Sequence, residues 1–312
     1  MAKPARIIPI ACPFGAGSTV YVYYIDAPEP ALIDIGVAGS PAGAIEPALA
    51  AEGIKLSDVK WILATHGHWD HIGGAQDGKD AIHAAGQIAL HEADLPYLSD
   101  RSSHIAGYQG VRFRFLDDPA AYAAHDAMLL ENLSGEMAAD RALVDGDRIN
   151  LGGGVTITTV HTPGHSAGAV TFLLDGPDWA FTGDSIQGRG AHATFPLIEH
   201  PTGYRASVKK LLDDVRPKRL LMGHQFGGLD GVAKSNILEQ DAANAMLRDS
   251  AELANQLAAL APTITAPADR PNDPFQFAPV AELLGFPTDD PWKWPASVFI
   301  TMDAFCRASK SD

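Results

Sequence analysis

Short apolar runs alternate with helical patterns through the first half of the chain. Runs rich in β-branched and aromatic residues predict strands near Thr19 to Ile25, Ala31 to Ile35 and Val59 to Ala64. A helix is predicted between the last two of these strands, over Gly43 to Glu52. This alternation of strands and helices is typical of an α/β protein.

The second half of the chain begins a new set of strands. Asp145-Gly146-Asp147 predicts a hairpin turn, and strands are predicted at Arg148 to Leu151, Val155 to Val160, Val170 to Leu174 and Trp179 to Phe181. Two mixed sheets that pack face to face, with helices outside, form a four-layer αβ/βα sandwich. We therefore predict this α/β architecture.

Two further helical patterns lie outside that sandwich. Tyr122 to Ala139 is rich in Ala, Leu, Met and Glu, which predicts a helix within an insertion at residues 101–140. Lys234 to Leu260 predicts a long helix, and a tail with many prolines and aromatic residues follows it. We expect one domain at residues 1–228 and an extension at residues 229–312. The extension is expected to pack on the same domain or, in a homodimer, on a second subunit.

Composition and charge restrict the partners. The chain has 312 residues with 46% hydrophobic content and a formal net charge of -15, and no basic stripe stands out, which argues against a nucleic-acid partner. The first apolar run is short and interrupted by Pro9 and Pro13, so we predict neither a signal peptide nor a membrane partner. Cys12 and Cys306 are expected to be free thiols, which favours a cytoplasmic location.

One short stretch contains four potential metal ligands. His66, His68, Asp70 and His71 fall within six positions directly after a predicted strand. Imidazole and carboxylate together suit zinc and other first-row divalent ions, and burying so many polar groups is costly without a metal or hydrogen-bond partners. Because the chain can turn at Gly73-Gly74, one turn can face two ions. A metal site is the first hypothesis.

Three more candidate ligands lie downstream, each at the end of an apolar run. They are His165, Asp184 and His224. Side chains at the loop ends of buried strands are commonly assembled into sites on a rigid scaffold. His161 precedes Pro163 at a predicted strand end and is expected to hydrogen-bond behind the ligands instead of binding a metal itself.

This order of residues resembles the metallo-β-lactamase-fold hydrolase superfamily, in its glyoxalase II and lactonase-like branch. The pattern His-x-His-x-Asp-His, then a single His, a single Asp and a final His, is complete over about Ile7 to Gly228. The resemblance implies the same sandwich and a catalytic domain at residues 1–228. It also implies that one metal is held by His66, His68 and His165 and a second by Asp70, His71 and His224, with Asp184 bridging.

The implied cofactors are two divalent metal ions. We expect Zn²⁺, and this ligand set also accepts Fe, Mn or Co. Seven protein ligands around two ions leave coordination positions open, which is typical of catalytic sites. A hydroxide that bridges the ions would attack a carbonyl, and Asp70 would be the catalytic residue that orients it and passes a proton to the leaving group.

The lining of the pocket decides which molecule is hydrolysed. Aromatic residues of the motif and of predicted loops could form an apolar pocket, although core packing explains them as well. They are Trp69, Tyr108, Phe113, Phe115, Phe195 and Phe226. His192 and His200 follow Asp184 and are secondary pocket candidates.

The chain is therefore expected to hydrolyse a small, partly apolar ester, lactone or thioester, as a lactonase or thioesterase does. One alternative is a phosphodiesterase, which would need a basic surface to hold phosphates. Another is a non-catalytic protein that binds a small effector on the same fold.

Overall fold

A computed structural model describes residues 6–15, 17–176, 178–191 and 194–310. Within these residues the strands form two six-stranded sheets. The first sheet follows chain order and consists of β1 (Arg6–Phe14), β2 (Ser18–Asp26), β3 (Ala31–Ile33), β4 (Trp61–Leu63), β5 (Gln87–His91) and β6 (Arg141–Leu143). The second sheet has the order β12-β11-β10-β9-β8-β7 and consists of β7 (Arg148–Asn150), β8 (Thr156–His161), β9 (Val170–Leu174), β10 (Trp179–Gly183), β11 (Arg219–Met222) and β12 (Ile237–Glu239).

The helices cover the outer faces of these sheets. They are α1 (Glu46–Ala51), α2 (Trp69–Ile72), α3 (Ala75–Ala81), α4 (Leu95–Ser99), α5 (Ser102–Ala106), α6 (Pro119–Glu131), α7 (Pro201–Lys210), α8 (Gln240–Leu260), α9 (Ala278–Leu284) and α10 (Ala296–Ala308). Short helical turns join them at Pro41–Ile45, Leu56–Asp58, Glu92–Asp94, Tyr108–Arg114, Leu211–Val215, Ala261–Thr263, Pro274–Phe277 and Pro291–Lys293.

Three buried clusters define the layers. Between the sheets, Tyr23 and Ile33 of the first sheet pack with Phe172 and Phe181 of the second. A second cluster lies between the first sheet and helices α1 and α3. The third lies between the second sheet and α7, α8, α9 and α10. The predicted four-layer sandwich is confirmed.

Strand β1 is not among the strands predicted from the sequence. It pairs antiparallel with β2 over its whole length, although it contains Pro9 and Pro13. It lies at the edge of the sheet, where a missing backbone N–H is tolerated.

The helix expected in the insertion is displaced along the chain. Instead of Tyr122 to Ala139, α6 spans Pro119–Glu131. Asp118 caps its first turn by accepting backbone N–H groups, and Pro119 follows at the first helical position. Beyond α6, Ser134 donates its backbone N–H to the carbonyl of Gly73. This long-range contact replaces a continued helix.

The extension also begins differently from the expectation. The long helix starts at Gln240 instead of Lys234, because Ile237–Glu239 pairs antiparallel with β11 as strand β12. The second sheet therefore extends beyond residue 228. Side chains of α8 and α10, such as Leu257 and Phe299, share a buried cluster with Leu220 and Met222 of β11. Among the described residues, no helix has the length and apolar character needed to cross a membrane.

Candidate metal centre

The candidate ligands converge where strands of both sheets end. His66 and His68 follow β4, while Asp70 and His71 lie on the short helix α2. His165 lies in the loop between β8 and β9, Asp184 follows β10, and His224 follows β11. The sequence folds this way because each apolar strand is buried in its sheet and its loop end is left free to carry polar side chains.

The ligands form two triads around a shared carboxylate. The first triad is His66, His68 and His165, and the second triad is Asp70, His71 and His224. In each triad the ligand atoms lie within 4.8 Å of one another.

Asp184 lies between the triads. Its Oδ1 is 3.2 Å from His71 Nε2, and its Oδ2 is 3.5 Å from His165 Nε2 and 3.6 Å from His224 Nε2. This arrangement matches the ligand division that the family resemblance implies.

In the first triad, ring nitrogens with lone pairs face one another. His66 Nε2 and His165 Nε2 are 3.1 Å apart. His165 Nδ1 lies 2.8 Å from the carbonyl of Leu197, which can only accept, and 2.5 Å from Gln187 Nε2, which can only donate. When Nδ1 donates to Leu197, as metal binding through Nε2 requires, Nε2 keeps its lone pair. Thr65 donates its hydroxyl to Asp34 and accepts from His66 Nδ1, which leaves His66 Nε2 bare as well. A cation between the two nitrogens would remove this repulsion.

Burial keeps the first triad neutral. It lowers the pKa of His68 and of His165 to about 4 and the pKa of His66 well below its ordinary value, and the neighbouring imidazoles act in the same direction on His66. Neutral imidazole is the form that binds a metal.

The second triad has the opposite electrostatics. Burial opposes protonation of His71, but the carboxylates of Asp184 and Asp34 outweigh it and raise the pKa of His71 well above its ordinary value. The pKa of His224 is raised in the same way, against burial, by Asp184 and Asp70. Without a metal, protons therefore supply the positive charge that the carboxylates require.

Two buried carboxylates hold the loops that carry the ligands. Asp34 accepts from the backbone N–H and the hydroxyl of Thr65 and lies 2.8 Å from His71 Nδ1. Asp94 accepts from Gly67 N, Gly168 N and the Ser166 hydroxyl. Asp94 therefore ties the His66–His68 loop to the His165 loop.

The donor set fits divalent ions. His71 Nε2 and Asp184 Oδ1 are buried and make no hydrogen bond within the described part of the chain. A Cβ at Gly223 would lie 2.4 Å from Asp184 Oδ1 and 2.5 Å from His71 Cε1, so glycine leaves these two side chains their space. Imidazole nitrogens with carboxylate oxygens are suitable ligands for zinc and for other first-row divalent ions.

A cavity of about 220 Å³ opens over both triads. Four of the predicted pocket residues line it, namely Trp69, Tyr108, Phe195 and Phe226. Phe14 packs edge-to-face on Trp69, with ring centroids 5.2 Å apart. Tyr108 stacks on His68 at 3.9 Å between ring centroids, and its buried hydroxyl makes no hydrogen bond within the described residues. Tyr108 therefore brings a buried, unsatisfied donor to the wall of the cavity.

The structure corrects the expectation for two pocket residues, Phe113 and Phe115. Phe113 packs on Tyr122, and Phe115 is buried against Phe277 and Phe299. Tyr108 opens a tight turn with about three residues per turn, so side chains five and seven positions later point in other directions.

His161 and His200 belong to neither triad. His200 is exposed and is not among the cavity residues, while His192 falls outside the described residues. The ring of His161 stacks on His91, and its Nε2 lies 2.9 Å from the carbonyl of Ala167, so it contacts neither triad.

Several site residues carried no recognisable sequence signal. Phe14, Ser18, Gln109 and Thr194 line the cavity from separate segments. Glu199 lies 2.7 Å from His68 Nε2, and burial raises the pKa of Glu199 to about 8, so the pair shares a proton in the metal-free protein. Only the tertiary fold brings these residues to the site.

Comparisons with known proteins identify the family of the chain. A family model described as the metallo-beta-lactamase superfamily matches residues 15–224. A hydroxyacylglutathione hydrolase of Fuscovulum blasticum is 30% identical over 66% of this chain and 58% of its own length. A probable metallo-hydrolase of Burkholderia pseudomallei is 30% identical over 54% of this chain and 52% of its own length. The chain thus spans little more than half the length of these two relatives.

A solved structure shares the fold over nearly the whole chain. It is a metallo-beta-lactamase family protein from Thermus thermophilus, with a TM-score of 0.66 and 20% identity, and it covers 98% of this chain and 93% of its own.

Proposed function

Because the chain belongs to the metallo-β-lactamase superfamily, we propose that it is a metal-dependent hydrolase of a small, uncharged, partly apolar ester, lactone or thioester. The observation that carries the choice of substrate is the lining of the cavity. Among its described residues no lysine or arginine is present, and the titratable side chains other than Tyr108 are candidate ligands. A neutral carbonyl compound fits such a site better than an anion.

The two triads and Asp184 would hold two divalent ions, for which we propose zinc, with iron, manganese or cobalt as substitutes. Such ions supply Lewis acidity, which polarises a carbonyl and makes water a nucleophile at neutral pH. Asp70 is placed to move the proton. Asp70 lines the cavity. Burial raises the pKa of its carboxyl group, but His71 and His224 outweigh burial and lower this pKa, so Asp70 is a carboxylate at neutral pH. It can accept a proton from water and deliver it to a departing alkoxide or thiolate.

The remaining side chains would bind and orient the substrate. Phe14, Trp69, Phe195 and Phe226 offer apolar contact to an acyl group or ring. The Tyr108 hydroxyl can donate a hydrogen bond to the carbonyl or leaving-group oxygen. With about 220 Å³ available, the cavity favours a small molecule.

The same lining weighs against anionic substrates. Away from the scissile bond, a glutathione thioester carries two carboxylates and a nucleic-acid phosphodiester carries neighbouring phosphates, and these charges, beyond the reach of the two ions, would be expected to meet Lys or Arg. If the substrate is a thioester, we therefore propose that it carries no carboxylates.

The test is proton release by metal-loaded protein, with a chelated control, on an acyl lactone, a neutral acyl thioester, an aryl ester, a β-lactam and a phosphodiester. Chelator-sensitive turnover of the lactone, thioester or aryl ester is expected. Asp70→Asn should lose this turnover, whereas Asp289→Asn, at an exposed position of the extension, should keep it. Turnover of the phosphodiester alone would overturn the substrate class, and binding of the esters without turnover would favour the effector-binding alternative.

A further inference from the structure

The loop at residues 194–200, between β10 and α7, contacts two histidines of the first triad. The carbonyl oxygen of Leu197 lies 2.8 Å from His165 Nδ1. Glu199 Oε1 lies 2.7 Å from His68 Nε2. Each contact occupies one ring nitrogen and leaves the other available for a ligand role.

Helix α10 of the C-terminal extension holds this loop in place. The Thr301 side chain is fully buried, and its hydroxyl donates to the carbonyl of Pro196 at 2.9 Å and accepts the Ile198 N–H at 2.8 Å. One turn earlier in the helix, the Ser297 hydroxyl donates to the carbonyl of Phe195 at 3.0 Å. The helix therefore hydrogen-bonds to the loop on both sides of Leu197.

The other contacts of the loop point back to the ligands. The backbone N–H of Leu197 donates to Gln187 Oε1 at 2.7 Å, and Gln187 Nε2 contacts the carbonyl of Asp184 and His165 Nδ1. Without the Thr301 hydroxyl, the Pro196 carbonyl and the Ile198 N–H would be left unsatisfied in the protein interior. The position of Leu197 therefore depends on α10, and that of Glu199 depends on α10 together with the carbonyl of Gly164, which accepts the Glu199 N–H at 2.8 Å.

We infer that α10 is a positioning element of the candidate metal centre: through Thr301 it fixes the loop whose Glu199 and Leu197 orient His68 and His165. A carboxylate or carbonyl that accepts the free N–H of a ligand histidine fixes the plane of the ring and makes its other nitrogen a better donor to a metal. The extension is then part of the machinery of the site, although it supplies no ligand. This inference rests on the metal-binding part of the proposed function.

The experiment measures Co²⁺ affinity by competition with a chromophoric chelator, together with the visible absorption of the bound Co²⁺. The full chain carries His224→Ala, so the intact first triad is observed. We expect Glu199→Gln and Thr301→Val each to weaken Co²⁺ binding by about 10- to 100-fold and to alter the absorption bands. Thr301→Ser, which keeps the hydroxyl, should restore both readings, and the exposed Glu282→Gln should change neither.

Thermal unfolding of the metal-free forms separates positioning from folding. If Thr301→Val does not fold, Glu199→Gln decides the matter, because its side chain is replaced without a change of size. Affinity and absorption equal to those of the parent protein in Glu199→Gln, or in a folded Thr301→Val, would overturn the inference and leave the proposed function intact. Failure of the wild-type chain to bind Co²⁺ would overturn the proposed function, and the inference with it.

Discussion

The two triads differ in how they satisfy their charge before any metal binds. The first triad consists of neutral imidazoles, because burial lowers the pKa of His68 and His165 to about 4. The second triad contains Asp70 and lies against Asp34 and Asp184, which raise the pKa of His71. The histidines of the first triad are therefore already in the neutral form that binds a cation, whereas those of the second triad must first release protons.

The neighbours of each histidine therefore decide whether it is neutral or protonated before a metal binds. Leu197 and Glu199 contact ring nitrogens in the first triad, whereas Asp34 contacts His71 in the second. The carbonyl of Thr19 contacts His224 Nδ1. We expect the two halves to respond differently to mutation and to pH.

The largest effect is expected when a ligand is removed. His165→Ala should deprive the first triad of its metal but leave the second occupied, and His224→Ala should do the reverse. Either change should lower kcat by about 10³-fold or more, since metal catalysis supplies several kcal/mol to the transition state. Metal content per chain, measured by elemental analysis, tests this. An unchanged content in both variants would contradict the division into two triads.

A smaller effect is expected at the buried carboxylates. Asp34→Asn should weaken metal binding at the second triad by about 10- to 100-fold, because a neutral amide supports the imidazole less well. Asn tolerates the left-handed backbone at this position, where φ is 63°, so the change isolates the charge.

The matched variant Asp94→Asn should act on the loops of the first triad. We expect it to lower the free energy of unfolding by about 1.5 to 3 kcal/mol, because Asp94 accepts three hydrogen bonds as a charged group. Urea unfolding and chelator competition measure both variants. If Asp34→Asn and Asp94→Asn changed metal binding at both triads equally, the two carboxylates would not support different triads.

The pH dependence of metal binding gives an independent test. Below the raised pKa of His71 and His224, an incoming ion must displace their protons, so lowering the pH should weaken the second triad, by about tenfold per pH unit for each proton released. In the first triad only the proton shared by Glu199 and His68 should be released, because His66 and His165 are already neutral. Calorimetric titration in buffers of different ionisation enthalpy counts these protons, and proton release from the first triad alone would contradict the assignment.

The smallest effect is expected in the cavity. Tyr108→Phe should lower kcat/KM by about fivefold, which corresponds to ~1 kcal/mol for one hydrogen bond to the substrate. Tyr122→Phe is the control, because the Tyr122 hydroxyl bonds to the carbonyl of Leu116 within the insertion. A similar loss in both variants would indicate a structural cause.

The structure brings the candidate ligands together, and the sequence could point to them because each lies beside an apolar strand or in one dense motif. Four of the candidate ligands fall within six positions, which by itself indicates a metal site: His66, His68, Asp70 and His71. Asp94, Glu199 and Thr301 could not be found in this way, since each acts through a partner far away in the chain. Strand β12 was missed for the same reason, because its pairing with β11 overrides a local helical pattern.

The most direct test of the central claim is a metal titration of chelator-treated protein in which the hydrolysis of a neutral lactone, thioester or aryl ester is followed. We expect turnover to rise with bound metal and to reach its plateau at about two ions per chain, as two complete triads require. Turnover that persists in the chelated protein, or full metal binding without hydrolysis of any of these substrates, would contradict this expectation.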